Sequence, residues 1–216
     1  MEIITIEKVT LFVVLIASLS VHEWAHALSA DLLGDPLPRS EGRVTLDPRA
    51  HIDLWGTILI PIIMIFFNPG IAIIGWGKPV NISLPNPKSK VRDDILITLA
   101  GPFSNVAIAF TVTVIFGLWD RIVGVSDSSF DLLFLIVQLN CLLFFFNLIP
   151  IPPLDGSHIL KRLIKMKEET YRNLSKYSII ILLVLVNIES FSLILFEFLN
   201  YSNSFFYYIF AKIAGT

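Results

Sequence analysis

Four long apolar runs, residues 9–30, 95–119, 132–149 and 179–199, limit what this chain can fold into before any motif is considered. A helix of about 20 residues crosses a hydrocarbon core of about 30 Å, and every backbone N–H and C=O inside that core must be satisfied within the protein. Helices satisfy them locally, so the sequence predicts an all-α, polytopic membrane bundle. Composition agrees: the 216 residues are 55% hydrophobic and only 16% charged, well away from the balance of a soluble domain. A fifth apolar stretch, residues 54–76, is interrupted by Pro61 and by Asn68-Pro69-Gly70. Its two pieces are each too short to span and read as a re-entrant hairpin. Residues 205–214 read as an interfacial segment or partial span. About four to six transmembrane segments are expected, in a single domain over 1–216 with its core at about 9–160 and C-terminal helices over 161–216. The first run stands where a signal sequence would, but it has no basic leader or small-residue cleavage site and reads as a retained helix.

Basic residues give the orientation. Thirteen of the sixteen lysines and arginines fall in three segments: Arg39, Arg43 and Arg49; Lys78, Lys88, Lys90 and Arg92; and Lys161, Arg162, Lys165, Lys167, Arg172 and Lys176. The positive-inside rule makes those segments cytoplasmic. The N-terminus is then outside, the first helix runs inward, and residues 54–76 leave and return on one face. The third basic segment reads as an anchor to anionic lipid rather than a nucleic-acid site.

Inside the first apolar run stands His22-Glu23-Trp24-Ala25-His26. Residues four apart share a helix face, so His22 and His26 can present imidazole nitrogens to one ion while Glu23 takes a proton from a water beside it. A His-Glu-x-x-His match by chance in a chain of this composition has a probability of roughly 0.003. Three ionisable groups buried in lipid without a partner would cost several kcal/mol, which argues against a merely structural role. With a lone cysteine, Cys141, a zinc site built from several cysteines is ruled out.

A catalytic zinc site ordinarily has three protein ligands and an open position. Candidates for the third are Asp155, His158, His51 and Cys141, and Asp155 is favoured. It ends the stretch Asn147-Leu148-Ile149-Pro150-Ile151-Pro152-Pro153-Leu154-Asp155-Gly156, whose prolines stop the preceding helix and place the carboxylate on irregular backbone at the depth of the pentad. Two neutral imidazoles and one carboxylate suit a single zinc ion. His158 reads as a surface or supporting residue and His51 as loop structure. Phe144, Phe145 and Phe146 read as packing.

The pentad in a membrane helix, Gly101-Pro102-Phe103-Ser104-Asn105 opening a later helix, and the stretch from Asn147 to Gly156 together resemble the site-2 protease family of intramembrane zinc metalloproteases. The stretch from Gly34-Asp35-Pro36 through Gly42-Arg43-Val44-Thr45-Leu46-Asp47-Pro48 to His51-Ile52-Asp53 is similar to the compact bacterial members, without room for an inserted PDZ domain or an appended CBS pair. The resemblance implies that His22, His26 and Asp155 bind zinc, that Glu23 is general base and acid, and that Asn147 and Asn105 flank the active site. It also implies a transmembrane protein substrate in a lipid bilayer, such as an anti-sigma factor or a signal-peptide remnant. A substrate helix must unwind to offer a scissile bond. Asn147 could bind the extended backbone, and Gly101-Pro102 could loosen the start of the helix lining the cavity. The 54–76 hairpin, with Gly75-Trp76-Gly77 at its end, could gate access or bind substrate as an added strand. The rival reading is a metal-binding membrane transporter or another non-proteolytic membrane protein.

Overall fold

The structure, a computed structural model, describes residues 5–67 and 75–215, and among these there is no β-strand. In chain order the helices are α1 (Ile6–Leu32), α2 (Leu37–Ser40), α3 (Ile60–Ile62), α4 (Lys90–Val123), α5 (Asp127–Asn147), α6 (Asp155–Leu163), α7 (Glu168–Ser175), α8 (Ser178–Val186) and α9 (Glu189–Ala214). Of these, α1, α4 and α5 are each long and apolar enough to cross a membrane, and α8 with α9 makes a fourth crossing only as a pair bent by 73°. The chain is a multi-pass membrane protein with a helical bundle architecture, at the lower end of the expected number of spans.

Three expectations are corrected. The run 179–199 is not one straight span. It breaks at Asn187 and Ile188, where the Asn187 amide donates to the Leu183 carbonyl and Ile188 turns extended, an instance of a short polar side chain competing for backbone at a helix end. Residues 205–214 are not a separate piece but the last part of α9. Gly101 and Pro102 do not open a helix either, because α4 begins at Lys90 and Pro102 lies within it. The proline costs α4 one N–H donor, and the carbonyl one turn before it, at Thr98, loses its helical partner.

The first limb of the 54–76 hairpin is helical. Residues Leu54–Leu59 and Ile63–Phe67 wind as π-helix around the α-turn of α3, and Pro61 at its centre explains the departure from α winding, since it cannot donate to the turn before it. The Asn68-Pro69-Gly70 turn lies outside the described residues. From residue 75 to 86 the chain is neither helix nor paired strand.

By density of internal contacts the chain forms two units, Met1–Ser104 and Asn105–Thr216. In the first, Leu15, Leu19, Ala27 and Ala30 bury one side of α1, and the small alanines permit close backbone approach. Just past α1, Asp35 is only 2% exposed and gathers four hydrogen bonds. It accepts from the Leu37 N–H at 3.1 Å, the Ser83 N–H and hydroxyl at 2.6 Å each, and the Leu84 N–H at 3.0 Å. That carboxylate ties the returning chain to the end of α1, and it does so where Leu84 takes a positive φ of 49°.

In the second unit Ala109, Leu133, Val137, Cys141, Phe206 and Phe210 form the core between α4, α5 and α9. Aromatic contacts extend it: Phe130 meets Phe210 at 5.3 Å and Phe145 meets Phe198 at 4.9 Å between ring centroids. The phenylalanine run of α5 is therefore packing material. Asn105 and Asn140, both fully buried, join α4 to α5 through the Asn105 amide donating to the Asn140 oxygen at 3.0 Å.

Burial raises the Asp35 carboxyl, but its hydrogen bonds to Ser83, Leu84 and Leu37 outweigh that and hold it below the ordinary carboxylate value. A depressed folded pKa means the contribution is fully present above about pH 4 and is lost as pH falls through the folded value. Asp35→Ala is expected to cost about 1–3 kcal/mol at pH 7, since it leaves buried donors unpaired. Thermal unfolding in detergent should show a lowered Tm at pH 7, and the gap from wild type should narrow on acidification.

Candidate metal centre

Helix geometry brings the pentad's two imidazoles together. The Nε2 atoms of His22 and His26 lie 3.1 Å apart, with the rings edge to face at a centroid distance of 4.7 Å. His22 is 3% exposed, and Glu23 and His26 are 8% exposed each. A carbonyl oxygen can only accept, so the 2.7 Å contact between His26 Nδ1 and the Ile97 carbonyl makes Nδ1 the N–H donor. In the neutral ring the Nε2 lone pair then points at His22. Two such nitrogens on one ion at about 2.0–2.1 Å would stand about 3.3 Å apart in a tetrahedral arrangement, close to the separation observed. A backbone carbonyl fixing the ring that holds a metal is the usual supporting arrangement for a histidine ligand.

The space in front of these nitrogens is kept open by a glycine. A Cβ on Gly101 would come within 2.3 Å of His26 Nε2 and 2.6 Å of His22 Nε2. Gly101 stands one turn after Ile97 in α4, so a single helix face supplies both the carbonyl that orients His26 and the gap in which both nitrogens converge. The donor set and the cradle therefore fit a metal ion of the zinc type.

Glu23 is covered from another direction. A Cβ on Gly77 would lie 2.6 Å from Glu23 Cγ and 2.8 Å from its Oε1, so the segment after Gly75 passes directly over the carboxylate. Its neighbours on the chain are bound to the loop and π-helix before it. The Trp76 N–H donates to the Gly56 carbonyl at 3.1 Å and the Lys78 N–H to the His51 carbonyl at 2.8 Å. The Thr57 hydroxyl donates to the Trp76 carbonyl at 2.8 Å, and Arg43 donates to the carbonyls of Lys78 and Pro79. Residues two apart on an extended chain direct their polar groups to the same edge. Trp76 and Lys78 bond on this pattern to the 43–57 side, and the Gly77 N–H and C=O between them have no partner among the described residues; the Pro79 carbonyl, turned to Arg43 like that of Lys78, ends the alternation.

His51, expected as loop structure, is 1% exposed. Its Nε2 contacts the Thr45 carbonyl at 2.7 Å, and burial pushes the imidazole below its ordinary value, so it stays neutral. It supports the loop from which its own carbonyl holds Lys78.

The other expected site residues lie in the second unit. Asp155 is the first residue of α6, so its backbone is a helix start rather than an irregular loop. A Cβ on Gly156 would lie 2.2 Å from the Leu148 carbonyl oxygen, which is why the turn after the prolines needs glycine there. His158 stacks edge to face on Tyr171 at 5.4 Å, in keeping with a supporting role. Asn147 ends α5 and its amide donates to the Leu143 carbonyl at 3.0 Å, and Asn105 pairs with Asn140 inside the bundle. Sequence reading missed the Ile97 carbonyl, the Asn140 partner, and the contacts of Gly101 and Gly77 with the pentad. Only the glycines left a signal, in Gly101-Pro102 and Gly75-Trp76-Gly77.

The profile of Peptidase family M50 matches residues 121–186. "Putative zinc metalloprotease YwhC" of Bacillus subtilis (strain 168) is 35% identical over 159 residues, covering 71% of this chain and 68% of that protein. "Putative zinc metalloprotease Rip2" of Mycobacterium tuberculosis is 32% identical over 182 residues, with 81% and 66% covered. The protein of the same name from Mycolicibacterium smegmatis is 30% identical over 176 residues, with 77% and 62% covered. The chain thus spans about two thirds of the length of these relatives. No solved structure matches it significantly. A pentad whose imidazoles converge inside a membrane helix, together with relatives at this identity and coverage, establishes that the chain belongs to peptidase family M50, the site-2 protease family of membrane metalloproteases.

Proposed function

We propose that this protein is an intramembrane zinc endopeptidase, with His22, His26 and Asp155 as the zinc ligands and Glu23 as general base and acid. The observation that carries the reading is the meeting of two imidazole Nε2 atoms at 3.1 Å in front of Gly101, next to a buried glutamate. The names of the relatives favour zinc. Asp155 is supported by the ligand count a catalytic zinc needs and by the charge balance of two neutral imidazoles with one carboxylate.

Zinc, when bound, supplies Lewis acidity that lets water act as a nucleophile near neutral pH. The residues of the chain do the rest. Ile97 holds the His26 ring in the tautomer whose Nε2 carries no proton. Glu23 accepts a proton from the attacking water as its oxygen bonds to the peptide carbon, then delivers that proton to the amide nitrogen as the C–N bond breaks. Burial under Gly77 limits the freedom of Glu23 to move away from that path.

Substrate would be bound as an extended strand along the outward edge of the segment at Gly77. The Gly77 N–H and C=O, without a partner among the described residues, offer the pairing that a locally unwound membrane helix needs, beside the catalytic carboxylate. The substrate-binding role expected of the hairpin as a whole falls here to the segment at Gly77, because its first limb is helical. Asn147 and Asn105 act as supports of the surrounding helices. By family resemblance the substrates are membrane-tethered proteins such as anti-sigma factors or signal-peptide remnants. The positive-inside pattern supports a site toward the cytoplasm with the N-terminus outside.

The test is cleavage of a synthetic transmembrane peptide of about 25 residues with a central Gly-Pro break, with zinc measured in every purified sample. Glu23→Gln is expected to keep its zinc and lose about 10²–10⁴-fold in kcat, whereas equal cleavage in both would sink the assignment. Asp155→Ala should lose zinc at a chelator concentration that wild type withstands, and undiminished zinc would remove it as a ligand. Gly101→Ala places a methyl where both nitrogens converge, so it should also lose zinc while remaining helical by circular dichroism; full zinc occupancy would contradict the cradle.

A further inference from the structure

The stretch Gly42-Arg43-Val44-Thr45 enters no catalytic step, yet its arginine is 3% exposed and donates to the backbone of one segment. Arg43 donates to the Pro79 carbonyl at 3.1 Å and to the Lys78 carbonyl. Burial works against its charge, and the carboxylates of Glu23 and Glu41 support it. A planar guanidinium with donors in a fixed fork engages two successive carbonyls at one setting only. At the other end of the same edge, the Thr57 hydroxyl and the Gly56 carbonyl hold Trp76. Gly77 is thereby clamped from both sides while its own polar groups have no partner among the described residues, and a Cβ there would meet Glu23.

In extended chains register is strongly fixed only where something specifies it, and a slip of one residue turns every polar group to the other edge. A segment that follows Gly75, contains Gly77 and has no partner strand among the described residues has little of its own to resist such a slip. We propose that Arg43 is a positioning residue that sets the register of Trp76–Pro79 against Glu23, and so determines which peptide bond of a strand bound along Gly77 is cleaved. This rests on the substrate-strand reading above. Arg43 itself touches neither substrate nor metal; it acts through the segment it holds.

Arg43→Lys tests this, because it keeps the charge and loses the fork. Hydrogen exchange followed by mass spectrometry on the zinc-loaded protein in detergent should show the amides of Trp76 and Lys78 exchanging at least about tenfold faster, with those of α1 and α4 unchanged, as expected when a charge-assisted bond is lost. With the same Gly-Pro peptide as probe, cleavage should spread from one bond to adjacent bonds and KM should rise about tenfold, at undiminished zinc content. Unchanged exchange, a single product at the wild-type bond, or loss of zinc would each overturn the proposal. If Arg43→Lys does not yield folded protein, Thr57→Val removes the hydroxyl at the other end of the edge and is held to the same outcomes. Failure of the strand reading is separable: wild type would then leave the probe uncut, whatever the exchange data show.

Discussion

The 2.7 Å contact between His26 and the Ile97 carbonyl is the interaction on which the rest of the site depends. It decides which nitrogen of the ring carries the proton, and so the other faces His22 at 3.1 Å without one. It also joins α1 to α4 at the level where Gly101 replaces a side chain with space. Without the glycine the two helices could not approach so closely, and without the carbonyl the ring could turn its donor toward its neighbour. A membrane interior, where an unpaired polar group costs several kcal/mol, makes such local satisfaction compulsory.

A second constraint comes from the segment at Gly77. Glu23 lies under Gly77, and its position is held by contacts that originate outside the apolar helix: Arg43, His51 and Thr57 all act on Trp76–Pro79. Asp35 does the same further along, fixing Ser83 and Leu84 to the end of α1. The loop between α1 and α4 is thus a frame of side chains bonded to backbone. That is how irregular chain can be accommodated beside a membrane helix.

Much of this was legible in the sequence because it depends on periodicity and residue type. The runs at 9–30, 95–119 and 132–149 became α1, α4 and α5, and the spacing of His22 and His26 placed them on one face as helical geometry requires. Less was legible where the outcome depends on contacts distant in sequence. Pro102 looked like a helix start but lies inside α4, since tertiary packing can carry a helix through a proline. Nothing in the residue type of Asn187 marks it as the break of a span, and Leu54–Phe67, by its length one limb of a hairpin, winds into helix around Pro61. The Ile97 carbonyl could not be seen at all, because backbone acceptors carry no residue identity.

The central claim is that one zinc ion is held by two imidazoles and a carboxylate without sulfur. X-ray absorption at the zinc edge of the purified protein measures this most directly. The account predicts a four-coordinate first shell of nitrogen and oxygen at about 2.0–2.1 Å, with outer-shell scattering from two imidazole rings. A sulfur neighbour at about 2.3 Å, or scattering from fewer than two rings, would contradict it.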